Sequence, residues 1–412
     1  MRAVSISLLV VFVLALNGLI TAPAAAQSPA AKGKAGASFD PEAFDALRKE
    51  GNDALYNLDY ATAQERFLQM TKMAPDHPAG YVSLANNMWL ETLNASRRLS
   101  TSVYTSGSFY SQDAGEDKVD PKRDREFNNL IKHAIKVAQD RLARDPKDVE
   151  ALYYEAAAMG LRAGYNVTVK RSFRRAIGDA NESIKLQKKV VKLDPQYIDA
   201  YLSIGLYEYV IDSLPTFWRI LARVAGLSGS KQKGIEHLEM VAQRGKYTAD
   251  DARVLLIGIY SRERKPEKAL EIINDLAVRY PRNYLFGLER AGMLYSLGRD
   301  GEGARSYAEM LEDERVSNAA TDLVNYQWGE FLMARGDYSA ALEKYNAAKQ
   351  WSKAGTEVVS LSHLRAGQAL DALGNREKAL AEYKIVLKRE NVFDSHKLAS
   401  KYVKSPYVPA KA

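Results

Sequence analysis

"GDYSAALEKY" runs from Gly336 to Tyr345, and "GNREKALAEY" follows from Gly374 to Tyr383, thirty-eight residues later. Both phrases open on Gly, carry Ala-Leu in the middle and close on Tyr in register. The agreement extends outward. Gly329 precedes the first phrase as Gly367 precedes the second, and Ala341, Tyr345 and Ala348 correspond to Ala379, Tyr383 and Val386. Near the start of the chain, Gly51, Tyr60, Ala63, Phe67 and Pro75 fall at matching steps. A Gly at the phrase start ends one helix at positive φ without a Cβ penalty. Ala and Tyr/Phe four apart share one face of the next helix, and Pro stops that helix.

This pattern resembles the tetratricopeptide repeat (TPR), a helix-turn-helix unit of about 34 residues. Further units share parts of it. Ala134 to Pro146 and Ala269 to Pro281 repeat the twelve-residue step from Ala63 to Pro75, and "YSLGRDGEGARSYAEM" (295–310) carries Gly298 and Tyr307 at the turn and ring positions. The expected fold is all-α: a TPR-type α-solenoid, a right-handed superhelix of about eight units over 40–390, with a C-terminal tail over 391–412. No unit buries its apolar side alone, so stacking creates the core and a groove.

Inserts interrupt the pattern near 95–125, 160–180 and 210–232. The first contains the Ser/Thr/Gly-rich "STSVYTSGSFYSQDAGEDKVDP" (100–121), which reads as a long loop or short hairpin. The second carries Lys170, Arg171, Arg174 and Arg175, a solubilising face compensated by Asp179 and Glu182, or a surface for an acidic partner or anionic lipid. In the third, "LPTFWRILARVAGLSGSKQKGIEHL" predicts a helix over 214–225. Its Phe217, Leu221 and Val224 stripe turns inward, Arg219 and Arg223 turn outward, and Trp218 stands one step round. The segment 201–309 is similar, more weakly, to tetratricopeptide-repeat 39-like proteins.

At the N-terminus, Arg2, the apolar "LLVVFVLAL" (8–16) and "APAAAQ" (22–27) read as a secretory signal peptide over 1–26, followed by a flexible leader over 27–39. The expected location is periplasmic or secreted, with no lipid-anchoring Cys. The 412-residue chain has no Cys at all, which excludes a disulfide framework, a thiol nucleophile and thiolate metal ligands. Its net charge of +7, from 58 basic and 51 acidic residues, falls to +6 without Arg2 and carries no nucleic-acid signature. No later stretch is long and apolar enough for a membrane span, though a peripheral membrane contact through 214–227 stays open.

The sequence holds no HExxH, GxSxG or GxxxxGK[ST] motif, and its five His are dispersed. The expectation is therefore a non-enzyme with no cofactor and no metal: an exported scaffold for a protein or peptide partner in the bacterial envelope. The alternative is a soluble ligand-binding component of a transport or envelope-assembly system, which requires a deep apolar pocket beside the third insert. An enzyme would require a buried, pKa-shifted carboxylate pair or His in a cleft. Because TPR ligands commonly meet the first helix of each unit, the resemblance implies Tyr153, Tyr209, Tyr295, Tyr326 and Glu330 as partner contacts, with Trp218, Arg219 and Arg223 added from the third insert.

Overall fold

The computed structural model describes residues 39–99, 117, 119–214, 216, 219, 220, 223 and 227–409. The expected signal peptide, nearly all of the leader, most of the 100–121 loop, and Phe217, Trp218, Leu221 and Val224 lie outside the described residues. Among the described residues the chain forms seventeen α-helices and no strand. It divides into two compact units.

The N-terminal unit, described over 39–91 and 117–259, takes in α1 (Pro41–Tyr56), α2 (Tyr60–Met73), most of α3 (Ala79–Ala95), α4 (Pro121–Arg144), α5 (Val149–Thr168), α6 (Phe173–Leu193), α7 (Tyr201–Ser213), α8 (Lys231–Arg244) and most of α9 (Ala249–Arg262). The C-terminal unit, described over 92–99 and 260–409, contains α10 (Pro266–Arg279), α11 (Tyr284–Ser296), α12 (Asp300–Glu312), α13 (Glu314–Ala334), α14 (Tyr338–Gln350), α15 (Thr356–Ala372), α16 (Arg376–Lys388) and α17 (Ser395–Lys404). Within it each helix packs on the next, and α11, α13, α15 and α17 also pack in series. Contacts between neighbours and between alternate helices are the signature of a TPR-type α-solenoid.

The repeated phrase has a direct structural meaning. Gly336 and Gly374 adopt φ of +80° and +77° and end the first helix of their pairs. The next residue caps the second helix: Asp337 accepts from the Ala340 amide at 3.1 Å, and Asn375 from that of Lys378 at 3.4 Å. In the first repeat Leu58 occupies the positive-φ position at 61°, and Asp59 caps α2. Seven residues before the turn, Gly329 and Gly367 receive the partner ring. A Cβ would stand 2.6 Å from Tyr345 Cε1 at Gly329, 2.5 Å from Tyr383 Cε1 at Gly367, and 2.3 Å from Phe67 Cε1 at Gly51. Those three rings are fully buried.

Two expected segments take another form. Residues 160–168 complete α5 and 173–180 open α6, with only a short turn over 169–172 between them. Part of the basic run there is internal. Arg171 is buried against Asp117 at 3.1 Å and Lys170 pairs with Asp124 at 2.7 Å, while Asp179 serves Arg162 at 2.6 Å. The C-terminal tail also contains a helix. In α17, Ala399 is buried, and Leu398, Tyr402 and Val403 cover Tyr383 and Val386 of α16, apolar surface that would otherwise face water.

Candidate functional site

The end of α3 carries the site's central residue. The Arg98 amide donates to Leu93 O at 2.7 Å and the Arg97 amide to Asn94 O at 3.0 Å, a Schellman closure with Arg97 at the left-handed position, φ 59°. Glycine is the usual occupant there, and an L side chain costs about 1 kcal/mol.

Arg97 reaches the first-helix face of the C-terminal unit. Its Nε donates to Asp322 Oδ2 at 3.2 Å, while Nη2 lies 3.1 Å from Oδ1, an ion pair that meets both carboxylate oxygens and hydrogen-bonds Oδ2. The Asp322 side chain is fully enclosed. Arg97 Nη2 also donates to Ala319 O at 2.7 Å, and Nη1 to the Tyr284 hydroxyl at 3.4 Å. Trp351 lies 6.0 Å from the guanidinium carbon.

The receiving groups have supports of their own. Gly355 N donates to Asp322 Oδ2 at 2.9 Å. Ala320 leaves helical geometry (φ −150°, ψ 23°), and this kink adjoins the Ala319 carbonyl. The Tyr284 hydroxyl donates to Asn94 Oδ1 at 2.6 Å; burial pushes its pKa up, against the pull of Arg97. One residue on, Arg98 approaches Glu357 at 3.7 Å and lies over the Phe393 ring at 5.1 Å. Tyr284, Asp322 and Glu357 belong to α11, α13 and α15. Three successive first helices thus all contact the Asn94–Arg98 turn.

The side chains singled out from sequence lie elsewhere. Tyr295 and Tyr326 are on the same first helices but are buried, as are Tyr153 and Tyr209 in the N-terminal unit. All four fill space between helices. Tyr295 stacks on Phe331 at 5.0 Å and Tyr326 approaches Tyr345 at 6.0 Å. Tyr153 meets Tyr197 at 5.0 Å, and Tyr209 closes on Gly234, where a Cβ would stand 2.6 Å from its amide. None of these rings offers an open face. Glu330 binds inward, accepting from Arg365 at 2.8 Å and the Tyr345 hydroxyl at 2.7 Å. In the third insert, Arg219 pairs with Asp212 at 3.5 Å, Arg223 is exposed and Ile220 is 55% exposed; Trp218 lies outside the described residues. Sequence reading passed over Asn94, Arg97, Arg98 and Asp322. The one available signal was Ser96-Arg97-Arg98, a helix end without the Gly that such an end favours.

The N-terminal unit has three further features. A groove of about 620 Å³ runs between α2, α3 and α4, bordered by Leu68, Tyr81, Met88, Glu126 and His133. A cavity of about 170 Å³ beside the third insert is lined mainly by apolar residues, among them Val167, Phe173, Ile177, Val210 and Leu227. The third is a pair of enclosed acids, Asp251 of α9 bonded to Tyr56 of α1 and Glu150 of α5 bonded to His77 and Arg141. Burial, with Asp250 and Asp199 adding to it, pushes the Asp251 pKa up to about 8 against the hydrogen bond from Tyr56. Burial acts on Glu150 in the same direction, but His77 and Arg141 more than offset it and hold the group at about 2. Among the described residues no three His, Asp or Glu come together as a metal site needs, and no helix is long and apolar enough to cross a membrane.

The helix pairs form a TPR-type α-solenoid, and the first helices of its C-terminal unit hold the chain's own Asn94–Arg98 turn. No protein-family model matches the chain. A curated relative, the cellulose synthase 2 operon protein C of Komagataeibacter xylinus, is 25% identical over 281 residues; the match covers 63% of this chain and 18% of that protein. Among solved structures, a tetratricopeptide repeat protein from Parabacteroides merdae aligns over 78% of this chain and 99% of its own, with 13% identity and a TM-score of 0.33. Yeast Tom70 aligns over 89% of each chain, with 10% identity and a TM-score of 0.39. Similarity at this level carries nothing beyond the helix pairing already described.

Proposed function

We propose that this chain is a non-catalytic scaffold, exported to the bacterial envelope, whose C-terminal unit holds a segment of a partner protein along α11, α13 and α15. One observation supports it above the rest: these helices already grip the side chains of a helix-end turn, Asn94, Arg97 and Arg98, through Tyr284, Asp322 and Glu357. The apolar stretch over 8–16 supports export. The test places a photo-crosslinking amino acid at Asn318, exposed one turn before Asp322, and separately at Val278, 81% exposed on α10. The reading predicts a discrete adduct with an envelope protein from position 318 and none from 278, with the chain in the periplasmic fraction. Equal, diffuse labelling from both positions speaks against it.

The ligand-binding alternative draws on the cavity beside the third insert. At about 170 Å³ it falls short of the roughly 300 Å³ at which small-molecule pockets begin, and matches a benzene-sized guest better than a lipid. Native mass spectrometry detecting a stoichiometric bound lipid would favour that alternative.

A further inference from the structure

We propose that the slot formed by Asp322, the Ala319 carbonyl and Tyr284 recognises an arginine in a segment of a partner protein, and that Arg97 fills it in cis until such a segment displaces it. This rests on the scaffold reading and adds the partner's chemistry. Three observations carry it. The slot has the shape of a guanidinium: a fixed carboxylate edge, a carbonyl beside a helix kink and a phenol oxygen, each within 3.4 Å of a different part of the same side chain. Lysine, a point charge, cannot use that fork. The receptor groups are also held by the repeats themselves, through Gly355 and the packing of α11, α13 and α15, so the slot does not need Arg97 to exist.

The occupant, finally, reaches the slot from the closing turn of α3, 225 positions before Asp322, and its neighbours contact the same helices, with Asn94 on Tyr284 and Arg98 on Glu357 and Phe393. A tethered occupant has a high effective concentration, so a second arginine competes with it directly for the slot.

The probe is the fluorescein-labelled hexapeptide NASRRL, a copy of Asn94–Leu99, titrated into the full chain and followed by anisotropy. The wild-type chain should bind it weakly, because the slot is filled. Arg97→Ala should bind it about tenfold tighter or more, as removal of a tethered competitor requires. Arg97→Lys should do the same and serves if the alanine variant fails to fold. The peptide NASARL should bind neither variant, and adding Asp322→Asn to Arg97→Lys should abolish the gain. Unchanged affinity in both folded Arg97 variants would overturn the proposal and leave Arg97 a structural cross-link, even where the Asn318 adduct persists and the scaffold reading stands. Displacement of NASRRL by equimolar free L-arginine would overturn a protein segment as the occupant. Loss of the Asn318 adduct with the peptide gain intact would instead sink the scaffold reading alone.

Discussion

Arg97 and Asp322, 225 positions apart, form an ion pair in which the carboxylate is wholly enclosed and the guanidinium nearly so. Such a pair contributes little net stability against a well-packed apolar alternative, yet breaking one side leaves a charge buried without its partner. Asp322→Ala should therefore cost about 3–5 kcal/mol in urea denaturation. The Arg97→Ala/Asp322→Ala double variant should cost less than the sum of the two single changes. Strict additivity would show that the two side chains do not meet in solution.

The glycines give a two-sided test of the repeat packing. Gly367→Ala would set a methyl 2.5 Å from the Tyr383 ring and should destabilise by about 1–3 kcal/mol. Gly258, inside α9, has open space around its Cβ position, so Gly258→Ala should stabilise by about 0.5–1 kcal/mol through helix propensity alone. Thermal melts of the two variants should move in opposite directions.

Asp251 sets a pH dependence. Its pKa rises from 3.8 in the free side chain to about 8 in the fold, so between those values the folded chain keeps a proton that the unfolded chain has released. Stability from this group is complete below about pH 4 and is lost as pH rises toward 8. Glu150 works in the opposite sense, its contribution being lost as pH falls from 4.5 toward 2, so the informative window is pH 5 to 8. The melting temperature of Asp251→Asn, whose amide oxygen can still accept from Tyr56, should fall less across that window than that of the wild type. Parallel curves would show that Asp251 is ionised throughout.

The helix α17 should act as a cap. Removing residues 395–412 uncovers Tyr383 and Val386 and deletes the Tyr407 amide that donates to Asp371 at 2.8 Å. The truncated chain should melt at lower temperature and bind a hydrophobic dye in proportion. An unchanged melt would make α17 dispensable.

The fold was legible because its determinants are local. Gly336 and Gly374 mark turns by their own φ, and Ala341/Tyr345 and Ala379/Tyr383 share helix faces by spacing alone. The site was not, because it depends on distance in space. Nothing local to Asp322 separates it from a solvated helix acid, and nothing at Arg97 announces a partner 225 residues away. The tyrosines chosen from sequence sit on first helices, as expected, but ring size drew them into the gaps between helices, where Tyr295 and Tyr326 are covered. The tail over 391–412 carries none of the repeat phrase, yet Leu398, Tyr402 and Val403 of α17 pack on the core of the last repeat.

The most direct test of the scaffold reading uses the chain's lack of cysteine. With Arg98→Cys and Glu357→Cys introduced, a short bis-maleimide should bridge the two thiols and lock the 94–98 turn onto the first-helix face. The quantity to measure is the yield of the partner adduct from the photo-crosslinking residue at 318, in the bridged and the unbridged chain. Loss of the adduct on bridging is the predicted result; an equal yield in both would show that the partner binds elsewhere and would contradict the account.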